Sequence, residues 1–171
     1  VAYHKKNDTD RQKFLEDLAK KAKGNFLWLL LAADDLKLSK SPEDLDKNFK
    51  DLKSTLDEII KYRVFKDDNL ADSDVKLLIS FMMVTERPLS VDELYDVLQV
   101  DLQKKTNTRR EIDLESKFAK TSGLLRPNNA GLVKFLHPAI REYFIALQTT
   151  GEKLLSYKEA HTNLTLRLLI Y

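Results

Sequence analysis

Cysteine is absent from the 171-residue chain, which excludes disulfides, thiolate zinc sites, iron–sulfur clusters and a cysteine nucleophile. Glycine and proline are scarce, with four of each. That is too little turn punctuation for an all-β sandwich or barrel, so a mainly α fold is favoured from the start. Charge of one sign is lacking too. Twenty-nine Lys and Arg stand against 27 Asp and Glu, a net charge of +2, which argues against a polyanion-binding tail. The longest unbroken apolar run, FLWLLLAA at 26–33, is far short of the ~20 residues that a bilayer span needs. No basic-then-apolar leader opens the chain, and it starts at Val1 without an initiator Met. It therefore reads as a piece of a larger polypeptide.

What is present suffices to build a core. Hydrophobic residues make up 43% and charged residues 33%, a globular mixture whose length suits one ordinary domain or two small ones. Residues 1–8 are polar and expected to fray. From Thr9, Phe14, Leu15, Leu18, Ala19 and Ala22 recur at helical spacing until Gly24 interrupts them. Asn25 can cap a second helix, Phe26 to about Leu36, that is apolar all round near its start and so expected to be buried on several faces.

Ser41, Pro42, Glu43 and Asp44 form a strong helix start. Leu45, Phe49, Leu52 and Leu56 continue on one face, then Ile59, Ile60, Val64 and Phe65. The acidic stretch KDDNLADS at 66–73 is the best internal boundary, with Asp72 or Ser73 capping the next helix. Val75 to Val84 is nearly all apolar and belongs at a centre.

Ser90 and Glu93 carry a capping-box pattern ahead of Val91, Leu94, Tyr95 and Leu98. A polar loop over 101–110 precedes a third helix expected to turn Ile112, Phe118 and Ala119 inward. A β-hairpin is expected from Leu124–Arg126 and Leu132–Phe135 around a PNNAG turn. After Pro138, Ile140, Tyr143, Phe144 and Leu147 fall in helical register. A last helix from about Ser156 should place Tyr157, His161, Leu164 and Leu168 on one face.

Three helices followed by a hairpin is the winged-helix order. The expected architecture is mainly α: a helical domain (9–66), a linker (67–73), a winged-helix domain with a small β-hairpin (74–150), and a C-terminal helix (151–171) packing on it. Neither an internal repeat nor a low-complexity tract is present.

Chemistry-bearing patterns are few. There is no Gly-rich phosphate loop ending in Lys-Ser/Thr, and the scattered glycines allow no dinucleotide fingerprint. His4, His137 and His161 are isolated, without the close His or carboxylate spacing of a metal site. Asp8/Asp10, Asp34/Asp35 and Asp67/Asp68 sit in links or at helix ends, where caps and solvation account for them. An enzyme complete within this chain is not expected, and no site residue is assigned a catalytic or metal-binding role.

The third helix offers Arg109, Arg110, Lys117 and Lys120 to a nucleic acid, but Glu111, Asp113 and Glu115 are interleaved. Those acids would offset the counterion release that drives DNA binding, so nucleic acid is disfavoured as a partner. His137 lies where a strand runs into a helix, with Pro138 fixing the junction. An imidazole there could receive a phosphate beside a helix N-terminus, or hydrogen-bond a nearby backbone carbonyl.

Five stretches together resemble the region after the nucleotide-binding core of NACHT-type STAND NTPases, the fungal NLR-like set above all. They are KAKGNFLW at 21–28, RPLSVDEL at 87–94, SGLL at 122–125, VKFLHPAIREYF at 133–144 and EAH at 159–161. The resemblance spans roughly 10–171. It implies a regulatory region that clamps an ADP-bound core closed and joins in nucleotide-controlled oligomerisation for signalling.

By that resemblance His137 contacts the β-phosphate, while Gly24 and Phe26 lie near the adenine. ADP or ATP would be held only together with an upstream core, and this chain alone would carry no cofactor. Implied partners are that core, a downstream repeat domain and further copies of the full-length protein, with no membrane. The implied compartment is the cytoplasm, with the nucleus as alternative. Two positions depart from the family pattern: Pro138 replaces the acid after the histidine, and Phe26 stands where many relatives have proline. Walker A and B elements are absent from this chain. The alternative reading is a winged-helix DNA- or protein-binding module, or a structural connector to a repeat array.

Overall fold

The computed structural model of the chain describes residues 7–107, 110–147 and 154–170, and only the backbone of Asp67 and Asp68. It is mainly helical, and it divides into two compact units, Val1–Tyr62 and Arg63–Tyr171.

The first unit opens with α1, Asp8–Ala22. Most of the stretch expected to fray lies outside the described residues. Its last two residues build a helix start instead: the Asn7 side chain accepts from the Asp10 N–H at 2.8 Å, and Asp8 begins the helix. At the other end Lys23 and Gly24 both adopt positive φ, 48° and 81°. That turns the chain so that the Asn25 N–H bonds back to the Ala22 carbonyl at 2.8 Å.

α2, Phe26–Leu36, starts as the sequence indicates, with Asn25 accepting from the Trp28 N–H at 2.9 Å. Trp28 is 2% exposed, and its indole donates to the Lys53 carbonyl at 3.0 Å. The helix is not buried all round, however. Phe26 and Leu30, 84% and 44% exposed, share the side of the helix opposite Trp28 and Leu31.

α3, Pro42–Asp51, has the expected Ser41 cap. The apolar face does not run on unbroken. Leu52 turns extended, and Ser54 and Thr55 start a new helix, α4 at Leu56–Phe65. Glu58 accepts from the Ser54 and Thr55 N–H groups while Thr55 caps Glu58, a second box that the apolar spacing hides.

The stretch 67–73, expected as a linker, belongs to the second unit. A 3-10 helix covers Lys66–Ala71 and buries Leu70. Asp72 then caps α5, Ser73–Val84, by accepting from the Asp74 N–H at 3.1 Å. α5 is central, with buried residues on all sides from Val75 to Val84, and four later helices pack on it.

β1, Leu89–Ser90, leads into α6, Val91–Gln99, through the expected capping box of Ser90 and Glu93. Part of the expected loop over 101–110 is a small antiparallel pair, β2 (Val100–Asp101) with β3 (Thr106–Asn107). α7 is short, Leu114–Lys120, and Asp113 caps it. Ile112 is buried just ahead of the helix, Phe118 is half-buried and Ala119 is exposed, so the helix turns in less than expected.

β4 (Leu125–Pro127) and β5 (Leu132–Phe135) form the expected hairpin, and β1 pairs with the far edge of β5, giving the order β1-β5-β4. α8, Pro138–Leu147, buries Ile140 and Phe144. α9, Tyr157–Ile170, lies against α5 and α6 with Ala160, Leu164 and Arg167 inward. Tyr157, His161 and Leu168, expected on that face, are exposed. An arginine takes the inward place because carbonyls at the end of α6 need donors.

Candidate functional site

Arg110, ahead of α7, and Lys117 and Lys120 on it do not form a free cationic set. Arg110 donates to both Asp74 oxygens, with Nη1 at 3.0 Å from Oδ2, and to the Leu98 carbonyl at 3.0 Å. Lys117 Nζ lies 2.8 Å from Asp72 Oδ2 and 3.4 Å from Asp74 Oδ2. Lys120 Nζ lies 2.6 Å from Asp72 Oδ2. Arg109, the fourth cation read from the sequence, falls outside the described residues.

Both acids sit at the start of α5, where the helix dipole also favours negative charge. Partial burial works to raise the Asp72 pKa. The hydrogen bonds from Lys117 and Lys120 outweigh it and hold the carboxyl well below the usual carboxylate range. The same contact with Asp72 raises Lys117 against its own desolvation. The segment leading into α7 presents acids without a cation partner: Glu111, Asp113 and Glu115 are exposed, alternating with buried Ile112 and Leu114.

Arg167 completes this corner. It is 8% exposed, and its Nη1 donates to the Val97 and Val100 carbonyls at 2.9 and 2.6 Å. Nε donates to Asn163 Oδ1 at 2.7 Å. Burial, and then the nearby Arg110 charge, lower its pKa. Arg110 and Arg167 thus both satisfy carbonyls at the C-terminus of α6, a role invisible in the sequence because 57 positions separate them.

His137 stands between β5 and α8, as expected, and is exposed. Its Nδ1 accepts from the Ala139 N–H at 3.1 Å, and its carbonyl accepts from the Ile140 N–H at 3.0 Å. The local partner is therefore a backbone amide rather than a carbonyl. Because Nδ1 is an acceptor, the neutral ring carries its proton on Nε2, leaving an exposed donor. Gly24 and Phe26 lie in the other unit, at the start of α2. Gly24 has open space where a Cβ would be, and Phe26 offers an exposed aromatic ring.

Beside the His137 corner lies a cavity of about 570 Å³, walled by Thr85–Pro88, β5 and the start of α8. Its charged lining is Arg87, Lys134 and Arg141, with Glu86. Arg87 also pairs with Glu93 at 2.5 Å. That contact and the Ser90 N–H bring the Glu93 pKa down to about 2.

A family model described as the winged helix domain of GPI inositol-deacylase matches residues 69–154. The chain belongs to that winged-helix family. The match covers α5 to α8 and both sheets, the elements that give the winged-helix order. No curated protein and no solved structure matches the chain. Among the described residues no group of His, Asp and Glu is placed to hold a metal, and no helix is long and apolar enough to cross a membrane.

Proposed function

We propose that this winged helix works by packing against protein rather than by reading DNA. The observation that carries this reading is the closure of Arg110, Lys117 and Lys120 on Asp72 and Asp74. A DNA-reading winged helix gains affinity by releasing counterions as its helix cations meet phosphates. Here that gain would first require breaking internal ion pairs, and exposed Glu111, Asp113 and Glu115 would then meet the phosphates.

The finer form of the proposal is the regulatory region of a NACHT-type STAND NTPase. It is non-catalytic and clamps an ADP-bound core from upstream. Its support is the five-stretch resemblance and the exposed Nε2–H of His137 at a rigid strand-to-helix corner. A diphosphate would supply charge that differs between nucleotide states, and His137 would donate to it in the closed arrangement only. One charge-assisted hydrogen bond of that kind is worth on the order of 1.5–3 kcal/mol, about ten- to a hundredfold in a closed/open population.

Partners on this reading are the upstream core, a downstream repeat domain and other copies of the full-length protein. The test is His137→Ala in the full-length parent. Faster ADP release and easier assembly are expected. Unchanged exchange and assembly would remove the nucleotide reading while leaving the protein-packing one standing.

A further inference from the structure

We propose that copies of this chain associate head to tail, the acidic row Glu111, Asp113 and Glu115 of one copy seating against the cationic groove of Arg87, Lys134 and Arg141 on the next.

The row is built by alternation. Over 111–115 the residues are exposed, buried, exposed, buried, exposed, so Ile112 and Leu114 anchor the segment while all three acids face outward. Asp113 spends one oxygen on the Ser116 N–H at 3.0 Å. Glu111 and Glu115 have no hydrogen bond or ion pair among the described residues. The cations adjacent in sequence cannot neutralise them, because Arg110, Lys117 and Lys120 are committed to Asp72 and Asp74. The segment 111–115 is thereby left negative.

The groove is its complement. The cavity of about 570 Å³ is lined by three cations and one acid, Glu86, over an apolar floor that includes Met82, Phe135 and Pro138. Lys134 and Arg141 have no acid partner among the described residues. Arg87 is held by Glu93 and Asp113 by the Ser116 N–H, so the uncommitted charges match as two carboxylates, Glu111 and Glu115, against two cations, Lys134 and Arg141.

Because row and groove are different surfaces of one unit, the contact is heterologous and can repeat from copy to copy. It uses neither His137 nor a nucleotide, and is independent of the reading above. Charge complementarity of this kind sets specificity and on-rate and weakens as salt screens it.

The experiment is sedimentation of the 171-residue chain at rising concentration, at about 50 and about 500 mM salt. Self-association is expected at the lower salt, with a dissociation constant about tenfold weaker at the higher. Lys134→Glu with Arg141→Glu should abolish it. Glu111→Lys with Glu115→Lys should abolish it as well, and mixing the two variants should restore it. Helical circular dichroism checks each fold, and the milder Glu111→Gln/Glu115→Gln pair serves if a reversal does not fold. A chain that stays monomeric at low salt would overturn the proposal. So would association that survives either reversal, or a mixture that stays apart.

Discussion

Lys120 Nζ and Asp72 Oδ2 lie 2.6 Å apart although 48 positions separate them in the chain. Asp72 also receives Lys117 and caps α5. One carboxylate therefore fastens α7 to the start of the central helix and engages two of its cations, Lys117 and Lys120. Asp72→Asn keeps the cap, since Asn caps as well as Asp, and removes only the charge. It should cost about 1 kcal/mol, whereas Asp72→Ala should cost about 2 kcal/mol because the cap is lost too. Urea unfolding of the two variants separates the contributions.

Acid should reach two carboxylates, Asp72 and Glu93, only late. The folded-state pKa of Asp72 is depressed, and that of Glu93 is brought down to about 2. A depressed carboxyl contributes stability that is fully present above its unfolded pKa, near 4. That contribution is lost as pH falls through the folded value. Stability measured between about pH 5 and about pH 2 should therefore drop, and less steeply in Asp72→Asn. The Glu93 carboxyl, followed by NMR, should titrate at about 2. A midpoint at the ordinary carboxylate value would show that the Arg87 contact does not hold.

Arg167 donates to two carbonyls at the end of α6 while nearly sealed from solvent. Arg167→Ala leaves those carbonyls without their donor and opens space beside Phe81, whose ring the guanidinium covers at 5.8 Å. The expected cost is about 3 kcal/mol in urea unfolding. Arg167→Lys should recover little, because an ammonium cannot serve Val97, Val100 and Asn163 with one planar fork.

Two glycines separate backbone strain from crowding. Gly24 and Gly123 both need positive φ, 81° and 75°, but only at Gly123 would a Cβ meet another group, Arg126 Nη2 at 2.8 Å. Gly24→Ala should cost about 1 kcal/mol from the backbone alone. Gly123→Ala should cost more, by whatever it takes to move the guanidinium. Equal costs in thermal unfolding would show that Arg126 moves freely.

Local signals are the legible ones. Asn25, Ser41 with Pro42, and Ser90 with Glu93 each announce a helix start within four residues, and each start stands where the sequence places it. The β4–β5 hairpin likewise declares itself through its turn. Non-local features do not show. β1 has two residues and exists only because β5 accepts it, 44 positions later at the Leu89–Val133 pair. The inward face of α9 differs from the expected one because apolar spacing selects leucines, while the end of α6 demands Arg167. The break between α3 and α4 carries a readable Ser54–Glu58 signal that the continuing apolar face masks.

At the site, His137 and Pro138 can be located from the strand-to-helix junction. The neutralisation of α7 cannot. Interleaved Glu111, Asp113 and Glu115 hint at an unfavourable DNA face, but the decisive acids, Asp72 and Asp74, lie on another helix.

The most direct measurement is fluorescence anisotropy of a labelled DNA duplex titrated with the chain at about 50 mM salt, where counterion release favours binding most. With Arg110, Lys117 and Lys120 held by Asp72 and Asp74, no saturable binding is expected, and Asp72→Asn should bind more than the parent chain. Tight binding by the parent chain would contradict the account, if it had a steep salt slope and were lost in Lys117→Ala/Lys120→Ala.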